Sequence, residues 1–470
     1  MTIREVIERF RAEAEAARER VPGFGAGIYH GGEQAVMATG VANIATQQPM
    51  TEATGFLAGS ITKVMTATLA MQRVESGELD LEAPLSRYLP DFALAPPSNT
   101  AALRVRHLLN HTNGIDADFF CPDGVSGPGA LAHLASQLRR CGALFAPGDY
   151  VSYSNAGMAM AGRVLEVVSG RSYHELLERD LFAPVGMADS TTSLERAIVR
   201  PTAVGHFYDP KSARLRRTDM FMLPESWSAC GSTPIATIAD VLAFGRTHLA
   251  DGVAPTRARV VSAESAQRMR TITADLRSPN SSPIGLGWPC WRFGDTDVLV
   301  HSGASPGGLA LLVVVPAQDF AFAAFGNSSA AMPLIDKLAL WLLRDHLQLA
   351  CPALALKPHD VPDLSDFAGT YRADQVRIDV RVIDGQLEET FALEPVDAAQ
   401  ARVLGGFMGG VTAFPPLRLV PVGERLFAPA GIPLDAFEGF GGRMLVSFHG
   451  DTAGQPTHRL AGGRMSRRVA

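Results

Sequence analysis

The chain has 470 residues, 47% of them hydrophobic and 19% charged, which suits one large domain plus a smaller one, or two to three units. Its 42 basic and 48 acidic residues leave a net charge of -6, and no stretch concentrates Lys or Arg enough to form a nucleic-acid surface. No apolar run approaches the length that spans a bilayer, and the five scattered cysteines (Cys121, Cys141, Cys230, Cys290, Cys351) lack CxxC spacing, which suits reduced thiols better than a disulfide framework or a zinc site.

The opening "MTIREVIERFRAEAEAARERVPG" alternates charges on a helical pattern. It lacks the basic start, apolar run and small-residue cleavage site of a secretory signal, so a surface helix and a cytoplasmic protein are expected. "GFGAGIYHGGEQAVMATGVAN" then reads as two short strands around a turn from His30 to Glu33. Gly23, Gly25 and Gly27 imitate a nucleotide loop, but no helix follows and no βαβ unit surrounds them, which favours close backbone packing.

Next comes "FLAGSITKVMTATLAMQRVESG", Phe56 to Gly77. Ile61, Val64, Met65, Leu69 and Val74 make a wide apolar stripe at helical spacing, and Gly77 is a stop signal. Lys63 follows Ser60 by three residues, so in a helix that starts near Ser60 the two side chains rise from one face and their heads can meet. An amine beside a hydroxyl is a way to make a nucleophile. The chain holds only four lysines (Lys63, Lys211, Lys337, Lys357), and an arginine at position 63 would fail chemically, because a desolvated amine can lose its proton and a guanidinium cannot.

From Ser60 to roughly Leu249 the pattern is mostly helices and loops. In "VRHLLNHTNG", His107 and His111 stand four apart and imitate a metal pair, but with no HExxH glutamate and no third ligand they read as structural histidines. "FFCPDGVSGPG", Phe119 to Gly129, is expected as a loop, either beside a cleft or plainly on the surface. In "FAPGDYVSYSNAGMAMAGRVLEVVSG" a turn at Pro147-Gly148 precedes a helix from near Ala156, with Tyr153-Ser154-Asn155 on the loop between. There Tyr153 can exchange protons with Ser60, and Asn155 can hold Lys63 or a substrate amide. Taken alone, the same residues also read as a half-buried tyrosine and a helix cap.

Between Gly285 and Asn327 the pattern turns to strands. In "VLVHSGASPGG" the apolar Val298 to Val300 lead into His301, Ser302 and Gly303 and a glycine-rich turn, as expected where a strand edge lets a substrate backbone approach. Backbone N–H groups there and at Ser60 can form an oxyanion hole. A helix, "MPLIDKLALWLLRDHLQ", and a Pro-containing linker follow, and the last hundred residues are β-like with a hairpin expected at Asp384-Gly385. The expected plan is a domain over 1–350 with a helical subdomain roughly over 60–270, a linker over 351–365, and a C-terminal β domain over 366–470.

Ser-x-x-Lys, Tyr-x-Asn and His-x-Gly occur in that order, and "GSITKVMTA", "HLLNHTNG", "PGDYVSYSNAG" and "HSGASPGG" resemble the serine β-lactamase and penicillin-binding-protein superfamily. The likeness is to its class C-like branch, with family VIII esterases, D-aminopeptidases and penicillin-binding-type thioesterases, and it covers about residues 20 to 345. It implies an α/β (α+β) fold, an antiparallel sheet flanked by helices plus an all-helical subdomain. It also implies Ser60 as the acylated nucleophile, Lys63 and Tyr153 sharing the proton transfers, Asn155 in support, the amides of Ser60 and Ala304 beside Gly303 as oxyanion donors, and neither metal nor cofactor. The departure is His301, where many β-lactamases and transpeptidases carry the lysine of Lys-Thr-Gly. Without that fixed cation the case for a substrate carboxylate, and for a true β-lactamase, is weaker. "DLSDFAGTYRAD" resembles the start of the lipocalin-like barrel appended to some D-aminopeptidases, esterases and nonribosomal-peptide cyclases, and equally suits a small β domain that only protects the surface.

The leading expectation is a serine hydrolase acting on a small-molecule ester, amide or peptide through a Ser60 acyl-enzyme, with no nucleic-acid or membrane partner. The alternative is a penicillin-binding-type thioesterase that cyclises a carrier-protein-bound peptide. A third reading, a non-catalytic binding or scaffold protein, is opposed by the retention of all five polar positions, since a dead site need not keep both Lys63 and Tyr153.

Overall fold

The computed structural model describes residues 1–95, 98–118, 125–411 and 414–469, without the side chains of Ser98 and Asn99. Helix α1 (Ile3–Ala16) opens with a capping box: the Thr2 hydroxyl accepts from the Glu5 N–H while the Glu5 carboxylate accepts from the Thr2 N–H. Its buried Val6, Ile7, Phe10 and Ala14 recur at helical spacing and lie on one face of a sheet.

That sheet has seven strands: β1 (Gly23–His30), β2 (Glu33–Asn43), β3 (Gln48–Pro49), β4 (Cys290–Phe293), β5 (Thr296–Ser305), β6 (Gly308–Val315) and β7 (Phe320–Gly326), in the order β3-β2-β1-β7-β6-β5-β4. The two expected N-terminal strands are eight and eleven residues long, and β1 pairs antiparallel with β7, Phe24 facing Gly326. Strands from the two ends of this region thus close one sheet around the helical stretch between them. The period of two along β1 sorts its residues. Phe24, Ala26 and Ile28 join Phe10 and Phe322 in the core on the α1 side. Gly27 faces the opposite way, onto helix Ile238–Leu249, where a Cβ would stand 2.6 Å from Leu242 and 2.8 Å from Ile238, so this glycine serves helix-on-sheet packing.

Helix α2 (Thr62–Glu75) is buried at every residue from Thr62 to Met71, as a helix enclosed on all sides must be. Helix α3 (Asn155–Ser169) and helix α4 (Ile238–Leu249) join it in one core between sheet and helical region. Among the described residues no helix is long and apolar enough to cross a membrane.

Residues 351–361 carry no regular element. Beyond them eight antiparallel strands close into a barrel: β8 (Gly369–Ala373), β9 (Val376–Ile383), β10 (Gln386–Leu393), β11 (Leu417–Gly423), β12 (Leu426–Pro429), β13 (Val446–His449), β14 (His458–Ala461) and β15 (Arg464–Arg468). Asp384 and Gly385 both take positive φ, 51° and 75°, in the two-residue turn expected between β9 and β10. The barrel is docked on the first domain by paired polar groups. Asn280 Nδ2 donates to the carbonyls of Leu445 and Leu460, the Met465 N–H donates to Ser152 Oγ, and the His458 ring bonds the Leu144 carbonyl.

Within the barrel the Arg459 guanidinium donates to the Glu389 carboxylate at 2.6 Å, and both side chains are nearly inaccessible, 11% and 4% exposed. Removing one member strands a buried charge. Glu389→Ala is therefore expected to destabilise the barrel by about 3–5 kcal/mol, and Glu389→Leu combined with Arg459→Leu to recover much of that loss; urea unfolding followed by circular dichroism measures both.

Candidate active site

Three chain segments converge on Ser60. The first is its own: a tight turn, Gly59–Ile61, runs directly into α2, so Ser60 sits at the helix entrance and Lys63 one turn inside. The Lys63 Nζ donates to Ser60 Oγ at 3.0 Å and to the Cys230 carbonyl at 2.8 Å, and Lys63 is 0% exposed. The second segment is β5. Strand β4 pairs with it only over Thr296 to Leu299, so residues 301–305 form the sheet edge and face the turn. They come so close that a Cβ on Gly303 would stand 2.2 Å from the Ala58 carbonyl, and one on Gly59 2.5 Å from the Ala304 nitrogen. Only glycine permits this approach, which brings Ala304 and Ser60 to one cleft lining. The third segment enters α3: Ser154 caps the helix by accepting from the Gly157 N–H, Tyr153 lies just outside it, and Asn155 is its first residue, one position earlier than expected.

Ser60, Tyr153, Asn155, Ser302 and Ala304 line one cleft of about 250 Å3. Lys63 does not meet Asn155 there. Its Nζ lies 4.6 Å from the centre of the Tyr153 ring, while the Asn155 side chain donates to the Asp118 carbonyl and its N–H to the Asp118 carboxylate. His301 alternates with Ser302 and turns inward, 3% exposed. Its Nδ1 bonds the Ser302 carbonyl at 2.8 Å; a carbonyl only accepts, so Nδ1 carries the proton and Nε2 presents a lone pair. Burial, then the neighbouring Lys63, push this imidazole down from 6.5 to about 3. His301 is thus a neutral acceptor, not a fixed cation.

Two features escaped sequence reasoning. His111, expected to be structural, packs against the Tyr153 ring at 4.7 Å. Its Nδ1 accepts from the Ser154 N–H, so its Nε2 carries the proton, and burial, then Lys63, His301 and Arg464, hold it well below the usual imidazole range. Among the described residues the Nε2 atoms of His111 and His301 are buried without a hydrogen-bond partner, one a donor and one an acceptor. His107 bonds elsewhere, its Nδ1 accepting from the Arg104 N–H, and no group of three or more His, Cys, Asp or Glu is placed to hold a metal among the described residues. The second feature comes from the barrel. The β14–β15 turn, Gly462-Gly463, forms part of the cleft wall, the Gly463 carbonyl accepts from the Tyr153 N–H at 2.8 Å, and Arg464 lies 4.8 Å from the Tyr153 ring centre while paired to Asp118. The cleft therefore does hold a permanent cation, delivered by the other domain. The Gly-Gly-Arg turn is visible in the sequence as a hairpin, but nothing in it points at Tyr153. Of the loop at Phe119 to Gly129, residues 119–124 lie outside the described residues.

A sequence model of the Beta-lactamase family matches residues 3–343. The chain belongs to this family. It is 34% identical to Penicillin-binding protein 4 of Amycolatopsis lactamdurans over 376 residues, 78% of this chain and 97% of that one. The crystal structure of SurE, also solved with D-Leu, has a TM-score of 0.76 at 27% identity and covers 99% of this chain and 98% of its own, so the likeness includes the barrel. The D-amino acid amidase of Ochrobactrum anthropi shares the fold of the first domain, with a TM-score of 0.61, 23% identity, and coverage of 73% of this chain and 99% of its own. This β-lactamase-family chain is a serine hydrolase.

The depressed histidine has a consequence for stability. Between pH 6.5 and about 3 the unfolded chain protonates His301 and the folded one does not, so stability contributed by the neutral ring is present above pH 6.5 and lost as pH falls through this window. The slope for one such histidine approaches about 1.4 kcal/mol per pH unit. His301→Asn is expected to show a shallower fall in unfolding free energy between pH 6.5 and 4.5 than the unaltered enzyme, as measured by urea titration at each pH.

Proposed function

We propose that this serine hydrolase acts on a small ester, amide or peptide through a Ser60 acyl-enzyme that is released to water. The observation that carries the reading is the 3.0 Å hydrogen bond between Lys63 and Ser60 inside the cleft. In this scheme the Ser60 proton passes to Lys63 as Oγ attacks the substrate carbonyl carbon. The amides of Ser60 and Ala304 hold the oxyanion, aided by the partial positive charge at the start of α2. Tyr153 protonates the leaving nitrogen or oxygen as its bond to carbon breaks, then takes a proton from the incoming water, and Lys63 returns its proton to Oγ as the acyl–Oγ bond breaks. The His111 and His301 rings flank Tyr153, with ring centres 4.7 and 6.4 Å from its own, and Asn155, fixed by Asp118, steadies the substrate. The SurE structure with D-Leu supports amides and peptides containing a D-residue as the substrate class. Four described cysteines without disulfides suit the cytoplasmic setting that belongs to this proposal.

A second reading has its own observation. The barrel turn Gly462-Gly463 and Arg464 wall the cleft, and such a wall can hold an amine near the acyl-enzyme and give it an effective-molarity advantage over water. On that reading the enzyme is a penicillin-binding-type thioesterase that closes a carrier-bound peptide on its own amine.

Ser60→Ala is expected to abolish fluorophosphonate labelling and to lower hydrolysis of p-nitrophenyl esters by at least about 10³-fold with an unchanged circular dichroism spectrum. Lys63→Arg should cost about 10²-fold or more despite keeping its charge; near-normal turnover in either variant sinks the corresponding role. A peptidyl thioester with a free N-terminus separates the two readings by mass spectrometry, with linear acid expected for the hydrolase and macrocycle as main product for the cyclase.

A further inference from the structure

Behind Tyr153 the cleft adjoins a second cavity, of about 300 Å3. Strand alternation explains it. Across β14 and β15, Leu460 pairs with Met465 and Ala461 with Arg464, so the two pairs project to opposite sides of the barrel wall. Leu460 and Met465 pack outward on Leu144 and Phe145 of the first domain. Ala461 and Arg464 therefore face the lumen, where Val376, Ile378 and Phe391 supply apolar walls and Asp116, Asp374 and Arg459 charged ones. Deeper in the barrel Tyr371, Leu387, Phe427 and Phe448 fill the interior, and the pocket lies at the open end. Tyr153, Gly462 and Arg464 line both this pocket and the reaction cleft, so one layer of side chains separates a group held here from Ser60. The volume would hold roughly ten waters, and its mainly apolar surface favours a hydrocarbon group over them.

We infer that the open end of the barrel receives the amine-side residue of the substrate, namely the branched aliphatic or aromatic side chain of the amino acid whose nitrogen leaves, or attacks, the Ser60 acyl group. The inference rests on the proposed acyl-enzyme. Tyr153 decides the side: it is the residue that exchanges a proton with that nitrogen, and it stands between cleft and pocket. When such an amine attacks, a carbon–nitrogen bond forms at the acyl carbonyl and the carbon–oxygen bond to Ser60 Oγ breaks. The amine's proton then passes to Oγ through Tyr153 and Lys63. Arg464, at the threshold and paired with Asp118, is placed to donate to the backbone carbonyl of the same residue. The barrel is then an acceptor-selecting part of the enzyme and not a cover.

The test charges the full-length enzyme with p-nitrophenyl acetate and offers pairs of acceptors, glycinamide against leucinamide or phenylalaninamide in each configuration. The ratio of acetylated amides is read by liquid chromatography and mass spectrometry. Leucinamide and phenylalaninamide of one configuration are expected to exceed glycinamide by at least about tenfold, the discrimination an apolar pocket provides. Ile378→Trp, which fills the pocket, should bring the leucinamide ratio towards one. Phe391→Ala, which enlarges it, should shift preference from leucinamide to phenylalaninamide. Each ratio is taken within one sample, so a partly unfolded fraction cancels. Equal use of glycinamide and leucinamide by the unaltered enzyme, or an unaltered ratio in both variants, overturns the pocket while leaving the acyl-enzyme intact. A missing acetyl adduct on Ser60 by intact mass removes the acyl-enzyme and the inference with it.

Discussion

The Lys63–Ser60 hydrogen bond is the constraint around which the first domain is arranged. For a lysine to be wholly buried and still meet a hydroxyl that faces a cleft, the helix carrying it must be enclosed on every side and yet begin at the cleft wall. Helix α2 meets both demands, with an unbroken buried run from Thr62 to Met71 and its first turn against the free edge of β5. The Cys230 carbonyl, at the end of a short helix (Glu225–Cys230) and 167 residues away in sequence, takes a second hydrogen bond from the amine. An amine buried without such acceptors would be costly, so the Cys230 segment and the helix stabilise each other's position.

Tyr153 plays the corresponding part between the domains. Lys63 lies on its ring from the core, Arg464 from the barrel, and His111 packs against it. Its backbone N–H is bound by the barrel's Gly463. The barrel turn is thus fastened to a residue of the cleft, and any shift of one domain against the other is felt at the tyrosine. This is a physical reason for the appended domain to matter to chemistry, and it makes cleft and barrel lumen neighbours.

The charge distribution follows from the same contacts. The strand edge carries His301, and burial beside Lys63 keeps that imidazole neutral. The permanent cation of the cleft is instead Arg464, reached through the barrel and balanced by Asp118. The strand edge thus offers a hydrogen-bond acceptor, and the positive charge enters from a part of the chain more than 150 residues later.

Much of the fold and the Ser60–Lys63 pair was legible in the sequence because those signals are local. The three-residue spacing of Ser60 and Lys63 on a helix, the alternation along β1, and the Asp-Gly turn at 384–385 depend on residues within a few positions of one another, where backbone geometry alone sets which side chains meet. The family motifs extended that reading to Tyr153, Asn155, His301 and Ala304. His111, Asp118 and Arg464 were not legible as neighbours of the site, since each sits in a stretch with an ordinary local explanation: a helical histidine, a loop aspartate, a hairpin arginine. Their roles arise from contacts such as Asp118 with Arg464, 346 residues apart, and such contacts depend on how the barrel docks. Docking is set by shape and by paired polar groups over a whole surface, and no short pattern of residues encodes it. The sequence by itself determined the two kinds of domain and the pairing of Ser60 with Lys63; only the tertiary structure decided which cation faces the cleft and that the barrel opens onto it.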